Sequence, residues 1–186
     1  MPLPHTLHLQ LPEWFQAFGR RATARRYGDD RSAMDLVLEL TELNLHHGGG
    51  PFGAAVLADG KLLSLGVNRV VPDRSSLWHA ELVAIALAHQ ACDSHQLGAR
   101  SLTLVSSCEP CCMCLGALLW SGISDLVTGA RDADARELGF DEGPKPDDWE
   151  AACSARGIAV RPDVQRRAAR ALLREYARSG GEIYTP

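Results

Sequence analysis

Apolar residues recur along the chain in more than one rhythm, and the changes of rhythm mark its elements. From Ser32 onward Leu36, Leu40 and Leu43 return at helical spacing until Gly48, Gly49 and Gly50 end the pattern. This predicts a first core helix with Ser32 as its N-cap. Residues 54–58 and 61–65 are short apolar runs joined by Asp59 and Gly60. That pair accepts the positive dihedrals of a tight turn, so two antiparallel strands are expected. Between residues 79 and 91 the chain is apolar nearly all the way round, as in a helix buried on more than one side. Further on, residues 102–106, 126–129 and 158–160 read as strands and 111–120 as a helix. Val164, Ala168, Ala171 and Leu172 give the last helix its apolar stripe.

Alternating strands and helices imply right-handed crossovers and a layered sheet. The expected fold class is α/β, three layers with helices on both faces of one mixed five-stranded sheet. Residues 1–31 are rich in Pro, His and Arg, and Leu11, Trp14, Phe15 and Phe18 suggest one short amphipathic turn. They read as an N-terminal extension, with residues 32–186 forming a single domain. A length of 186 residues and 46% hydrophobic content fit one compact core.

Charge narrows the class of partner. The formal net charge is −4 and the isoelectric point about 6.0, so no global positive field exists to hold a long nucleic acid. Basic runs at Arg20, Arg21, Arg25 and Arg26 and at Arg166, Arg167, Arg170 and Arg174 are interleaved with other residues and read as solvated helix faces. A small-molecule substrate is expected. The first thirty residues hold no apolar core of signal-peptide length, and no later run approaches eighteen apolar residues. A cytoplasmic protein without a membrane partner is expected. Four of six cysteines, Cys108, Cys111, Cys112 and Cys114, fall within seven residues. Short-range disulfides are awkward there, so the crowding reads as metal binding in a reducing compartment.

His79-Ala80-Glu81 opens one predicted helix, and Glu109-Pro110-Cys111-Cys112-Met113-Cys114 opens another, with Pro110 suited to a helix start. A C-x-x-C step on a first turn lets both thiolates reach one ion. An imidazole from the neighbouring helix makes three protein ligands, His79, Cys111 and Cys114, and tetrahedral Zn2+ keeps a fourth position for water. Glu81, two residues from the imidazole, suits a proton carrier for a water acidified by the metal. Attack on an amidine carbon, with Glu81 moving the proton to a ring nitrogen, is hydrolytic deamination with water as co-substrate. Two alternatives stand beside it. Cys108 with Cys111, Cys114 and His79 could close a structural Cys3His site, making a structural-zinc interaction protein. Cys111 and Cys114 could form a redox pair, although their context is not thioredoxin-like.

The order H-x-E then P-C-x-x-C is the signature of zinc nucleobase deaminases, and the chain resembles the cytidine deaminase-like superfamily. Gly50-Pro51-Phe52-Gly53-Ala54, Asn68-Arg69-Val70, Ser107-Cys108-Glu109-Pro110-Cys111 and Gly139-Phe140-Asp141-Glu142-Gly143 look like its short bacterial guanine deaminases. The metal motifs identify only the superfamily; the Gly-Phe-Asp-Glu loop points to guanine. The resemblance implies a zinc-dependent conversion of guanine to xanthine and ammonia. Guanosine, cytosine or cytidine, a triazine such as ammeline and tRNA adenosine are the alternative substrates. It also implies that Asn68 reads the base, that backbone N–H groups at Ala80 and Glu81 approach the reacting centre, and that Glu142, beside Asp141, supplies a second carboxyl. Phe52, Trp78 and Trp120 are candidate stacking surfaces, with Trp120 preferred. A homodimer is implied, in which a C-terminal segment bearing Tyr176 and Glu182-Ile183-Tyr184-Thr185-Pro186, hinged at Gly180 and Gly181, closes the site, exchanged between subunits.

Overall fold

Asp59 and Gly60 both take positive φ, 49° and 71°, and this turn folds β1 (Gly53–Ala58) back against β2 (Lys61–Val67). Three more strands complete the sheet: β3 (Leu102–Cys108), β4 (Asp125–Ala130) and β5 (Ala159–Arg161). Their order is β2-β1-β3-β4-β5. β1 runs antiparallel to both neighbours, whereas β3, β4 and β5 are mutually parallel. The mixed five-stranded sheet is the expected one. The computed structural model describes Leu3, His5, Thr6 and residues 9–98 and 101–184. Thr185 and Pro186 of the anticipated tail, and Met1, Pro2, Pro4, Leu7 and His8 of the extension, lie outside the described residues.

Alternation along the strands divides the interior into two cores. Ala54 and Val56 on β1, with Leu102 and Leu104 on β3, face α3 (Ala80–Cys92) and α4 (Cys112–Ser121). Ala55, Leu57 and Val105 face the opposite way, onto Met34, Val37 and Leu40 of α2 (Asp30–His46). Because both sheet faces are covered, the central strands read as nearly continuous apolar runs. Short helices α5 (Asp132–Arg136) and α6 (Trp149–Ser154) follow β4. The chain ends on α7 (Arg166–Arg178), which packs against β4.

Three local expectations differ from the structure. The N-cap of α2 is Asp29, whose carboxylate accepts from the Ser32 N–H at 2.7 Å while the Ser32 hydroxyl accepts from the Asp29 N–H. Ser32 is the far corner of a capping box, not the cap. The residues set apart as an extension form α1 (Glu13–Thr23), three turns long, with Phe15, Phe18 and Ala22 buried in the second core. On α7 the buried residues are Ala169, Leu173 and Tyr176, while Ala168 and Ala171 are exposed. Alanines weigh little in choosing a buried face, and the larger Leu173 and Tyr176 rotate the helix by about one residue.

Candidate metal centre and active site

The site forms at the carboxyl ends of β2, β3 and β4, which run the same way, beside the amino end of the opposed strand β1. Two helices begin there, and each begins on a predicted ligand. His79 is the N-cap of α3 and Cys111 the N-cap of α4, both in extended backbone conformation. The first N–H groups of both helices therefore point at one place, a favourable environment for thiolate. The Cys111 sulfur accepts from the Cys114 N–H at 3.5 Å. Pro110 precedes the cap and is not the first helical residue.

The three ligand atoms of His79, Cys111 and Cys114 lie within 4.8 Å of one another, the only such His/Cys/Asp/Glu group among the described residues. His79 Nδ1 stands 3.5 Å from the Cys111 sulfur and 3.6 Å from that of Cys114. Tetrahedral zinc bonds of about 2.0 Å to nitrogen and 2.3 Å to sulfur put N and S about 3.6 Å apart, so the set fits zinc. Protonation chemistry points the same way. The Cys114 thiol and, through its own hydrogen bond, His79 hold the Cys111 thiol at about 4 against the opposing effect of burial. The Cys111 sulfur and burial push the Cys114 thiol well above the ordinary range. The pair shares one proton, and a dication is what lets both ionise together. Cys108 is not the third sulfur, since its buried thiol donates to the Arg131 carbonyl at 3.7 Å. The closed Cys3His arrangement is not formed.

Glu81, 4% exposed on the first turn of α3, places Oε2 3.4 Å from the Cys114 sulfur and accepts at Oε1 from the Ser106 hydroxyl at 3.0 Å. Burial, followed by the Cys111 charge, raises its pKa. Phe52, Asn68, His79, Glu81, Cys111, Phe140, Asp141, Glu142 and Tyr184 line one cavity of about 20 Å³, room for one water. Glu142 is buried, and burial, then the Cys111 and Glu81 charges, raise it to about 8. Asn68 donates from Nδ2 to the Tyr184 hydroxyl at 2.7 Å. The Phe52 ring meets Phe140 edge-on at 5.1 Å, and Phe140 meets Tyr184 edge-on at 6.0 Å. The tail thus reaches the pocket of its own chain, whereas the resemblance implies an exchanged tail. Tyr176 braces it by donating to the Glu182 carbonyl at 2.8 Å.

Not every anticipated residue meets the cavity. Trp120, the preferred stacker, is 87% exposed on the outer side of α4 and lies outside the lining. Helical geometry explains this: Cys114 and Leu118 turn inward, so position 120 points out. Trp78 is half-buried and also outside the lining. The Asp141 carboxylate is spent on the Gly143 N–H at 2.8 Å, shaping the loop that presents Glu142. Ala80 is fully buried at the first position of α3, where its N–H has no intrahelical partner. Sequence reasoning missed Ser106, for which a usable signal existed in the hydroxyls that interrupt an apolar strand. It also missed Lys145, buried between Glu109 at 3.4 Å and Asp132 at 3.3 Å and capped by the Trp149 ring. Its partners are distant in sequence and leave no local pattern.

A mixed sheet whose two flanking helices start on His and Cys ligands is the arrangement of the zinc deaminases. The chain belongs to this family: residues 28–130 match the cytidine and deoxycytidylate deaminase zinc-binding region. The chain is 40% identical over 94 residues to guanine deaminase of Bacillus subtilis (strain 168), a match covering 50% of this chain and 59% of that protein. The solved guanine deaminase from Nitrosomonas europaea is 42% identical, covers 96% of this chain and all of its own, and superposes with a TM-score of 0.88. A structure in complex with 2,6-diaminopurine is 44% identical, with 97% of both chains covered and a TM-score of 0.89.

Proposed function

We propose that the chain is a zinc aminohydrolase that takes guanine and water to xanthine and ammonia. The chemistry is assigned to residues 32–186, and the N-terminal extension, residues 1–31, contributes α1, which packs against β2. The observation that carries the reading is the buried Glu81 carboxyl beside the metal ligands, sharing one small cavity with the Asn68 amide donor. Zinc, when held by His79, Cys111 and Cys114, makes a water nucleophilic near neutral pH. Glu81 accepts the proton this water releases as its oxygen adds to the amine-bearing ring carbon, and passes it to the adjacent ring nitrogen. Glu142, held protonated near neutrality, then protonates the amine. The carbon–nitrogen bond breaks, ammonia leaves, and the new hydroxyl returns its proton to the Glu142 carboxylate as it becomes the carbonyl of xanthine.

Guanine is favoured by complementarity and by kinship. The Asn68 Nδ2 donor faces the cavity and suits a ring carbonyl, while Phe52 offers an apolar wall; the Ala80 N–H, on the first turn of α3 after the ligand His79, is assigned to the reacting centre. Asp141 shapes the loop and Tyr184 closes the rim. The guanine deaminases of the two bacteria named above support the same choice. A homodimer is proposed through the outer face of α4, where Met113, Ala117 and Trp120, 87% exposed, leave an apolar surface; sedimentation of wild type against Trp120→Asp tests it. Six free cysteines fit a cytoplasmic setting.

The test offers zinc-loaded protein guanine, guanosine, cytidine, adenosine and ammeline while ammonia is measured. Release is expected to be fastest from guanine. Preference for another member of the panel overturns the substrate assignment, and silence on all five overturns deamination itself.

A further inference from the structure

Asn68 is held by a second asparagine that lies outside the cavity. Asn44, near the end of α2, is fully buried. Its Nδ2 donates to the Gly50 carbonyl at 2.9 Å and to the Asn68 carbonyl at 3.0 Å. Both partners are acceptors, so the nitrogen end must face them, and a carboxylate at this position would meet two carbonyls with no hydrogen to offer. The Asn68 carbonyl receives a second donor, the Gly50 N–H at 3.2 Å, and the Asn68 N–H is taken by the Phe52 carbonyl at 3.0 Å. The backbone of Asn68 is therefore fixed on both sides at the point where β2 ends.

The glycine run exists to let this happen. Gly48, with φ of 75°, ends α2. A Cβ at Gly49 would overlap the Asn44 amide, and one at Gly50 would overlap the Asn68 side chain. The two amides thus pack directly against bare backbone. Along the Asn68 side chain, Oδ1 accepts from the Val70 N–H at 3.3 Å and Nδ2 is left aimed into the cavity, on Tyr184. The donor that meets the ligand is placed by a backbone whose carbonyl Asn44 holds.

We propose that Asn44 is a positioning residue for substrate selection, setting the direction of the Asn68 donor without touching the base. This rests on the assignment of Asn68 as the group that reads the carbonyl of guanine. Loss of the Asn44 amide leaves the Asn68 carbonyl with one donor and the Gly50 carbonyl with none from this source, and the strand end is held less tightly in the direction that aims the Asn68 side chain. The consequence falls on recognition: KM for guanine rises while kcat changes little. Preference for guanine over 2,6-diaminopurine, which carries an amino group in place of the carbonyl, shrinks.

The experiment compares zinc-loaded wild type, Asn44→Ala, Asn68→Ala and Thr41→Val. Thr41 is buried one turn earlier on α2 and bonds only to its own helix, through Val37. It reports what damage to α2 does by itself. Asn44→Ala is expected to raise KM for guanine at least about tenfold, with kcat within about threefold, and to lower the guanine preference in the same direction as Asn68→Ala. Thr41→Val is expected to lower Tm and leave both quantities unchanged. If Asn44→Ala does not fold, Asn44→Ser, which keeps one short donor, takes its place in the same comparison. Should Asn68→Ala raise KM while the Asn44 variant lowers only Tm, the positioning role is overturned and the reading of the site stands. Should Asn68→Ala leave KM unchanged, the reading of the site fails and the role of Asn44 fails with it.

Discussion

The carboxyls of Glu81 and Glu142 and the Cys111 sulfur border a space with room for one water, and their separation in role follows from what each touches. Glu81 accepts a hydroxyl hydrogen bond from Ser106 and stands beside a ligand sulfur without belonging to the ligand triangle. Replacing it with Gln keeps the volume and the contact to Ser106 and removes only the exchangeable proton. Glu81→Gln is therefore expected to lower kcat by about 10²- to 10⁴-fold with zinc content unchanged, measured by turnover beside metal analysis. Cys111→Ser is expected to do the reverse in order, losing zinc first and activity as a result. If Glu81→Gln protein came out metal-free, the carboxyl would be part of the ligand set and the assignment of a proton carrier would fall. The ligands were legible in the sequence because H-x-E and C-x-x-C place their residues within one helical turn. Asn44 was not, because its bond to the Asn68 carbonyl spans 24 residues and joins a helix to a strand end with no shared motif.

Elements were read most securely where one rhythm dominates. The strands on either side of Asp59-Gly60 and the all-round apolar α3 stand within a residue or two of their expected ends. Where alanine and arginine dilute the pattern, as in α7, the face was misread by one residue; where a few aromatic residues follow a segment bearing Pro2, Pro4 and Pro12, as at α1, a three-turn helix was read as a single turn. What fixes α7 is also electrostatic. Asp134 of α5, 4% exposed, pairs with Arg166 at 2.8 Å and Arg170 at 2.9 Å. The Arg166 hydrogen bond, opposed by burial and helped by the Arg131 N–H, holds the Asp134 carboxyl below its usual range. A carboxyl depressed in the native state stabilises fully above its unfolded pKa of about 3.9, and that contribution fades as pH falls through the native value. Asp134→Asn is expected to cost about 1.5–3 kcal/mol at pH 7. Its Tm is expected to fall by several degrees and to respond less steeply than wild type to acid below about pH 4, read by thermal unfolding across pH. Equal slopes in the two proteins would mean that Asp134 contributes no proton linkage.

At the scale of the whole molecule the site is shut. A cavity of about 20 Å³ cannot take a purine, and Tyr184 occupies the Asn68 donor that the base is proposed to use. The chain between α7 and Tyr184 carries the means of opening: Gly180 has φ of 78°, and Gly181 lies flat against the Tyr176 ring, where a Cβ would not fit. Tyr176 itself is anchored in the core, so displacement of the tail is confined to the residues beyond it. Entry of substrate then requires the tail to leave, and turnover requires it to return, since the apolar rim of Phe140 and Tyr184 keeps bulk water from Glu81. Removing residues 182–186 leaves the zinc ligands and Glu81 intact and takes away the closing step. Truncated protein is expected to retain zinc and Tm, to admit guanine at least as fast as the full chain in stopped-flow binding, and to turn it over about tenfold or more slowly. If truncation left kcat unchanged, water exclusion by the tail would have no part in the reaction, and the Tyr184–Asn68 bond would be a resting contact that substrate merely displaces.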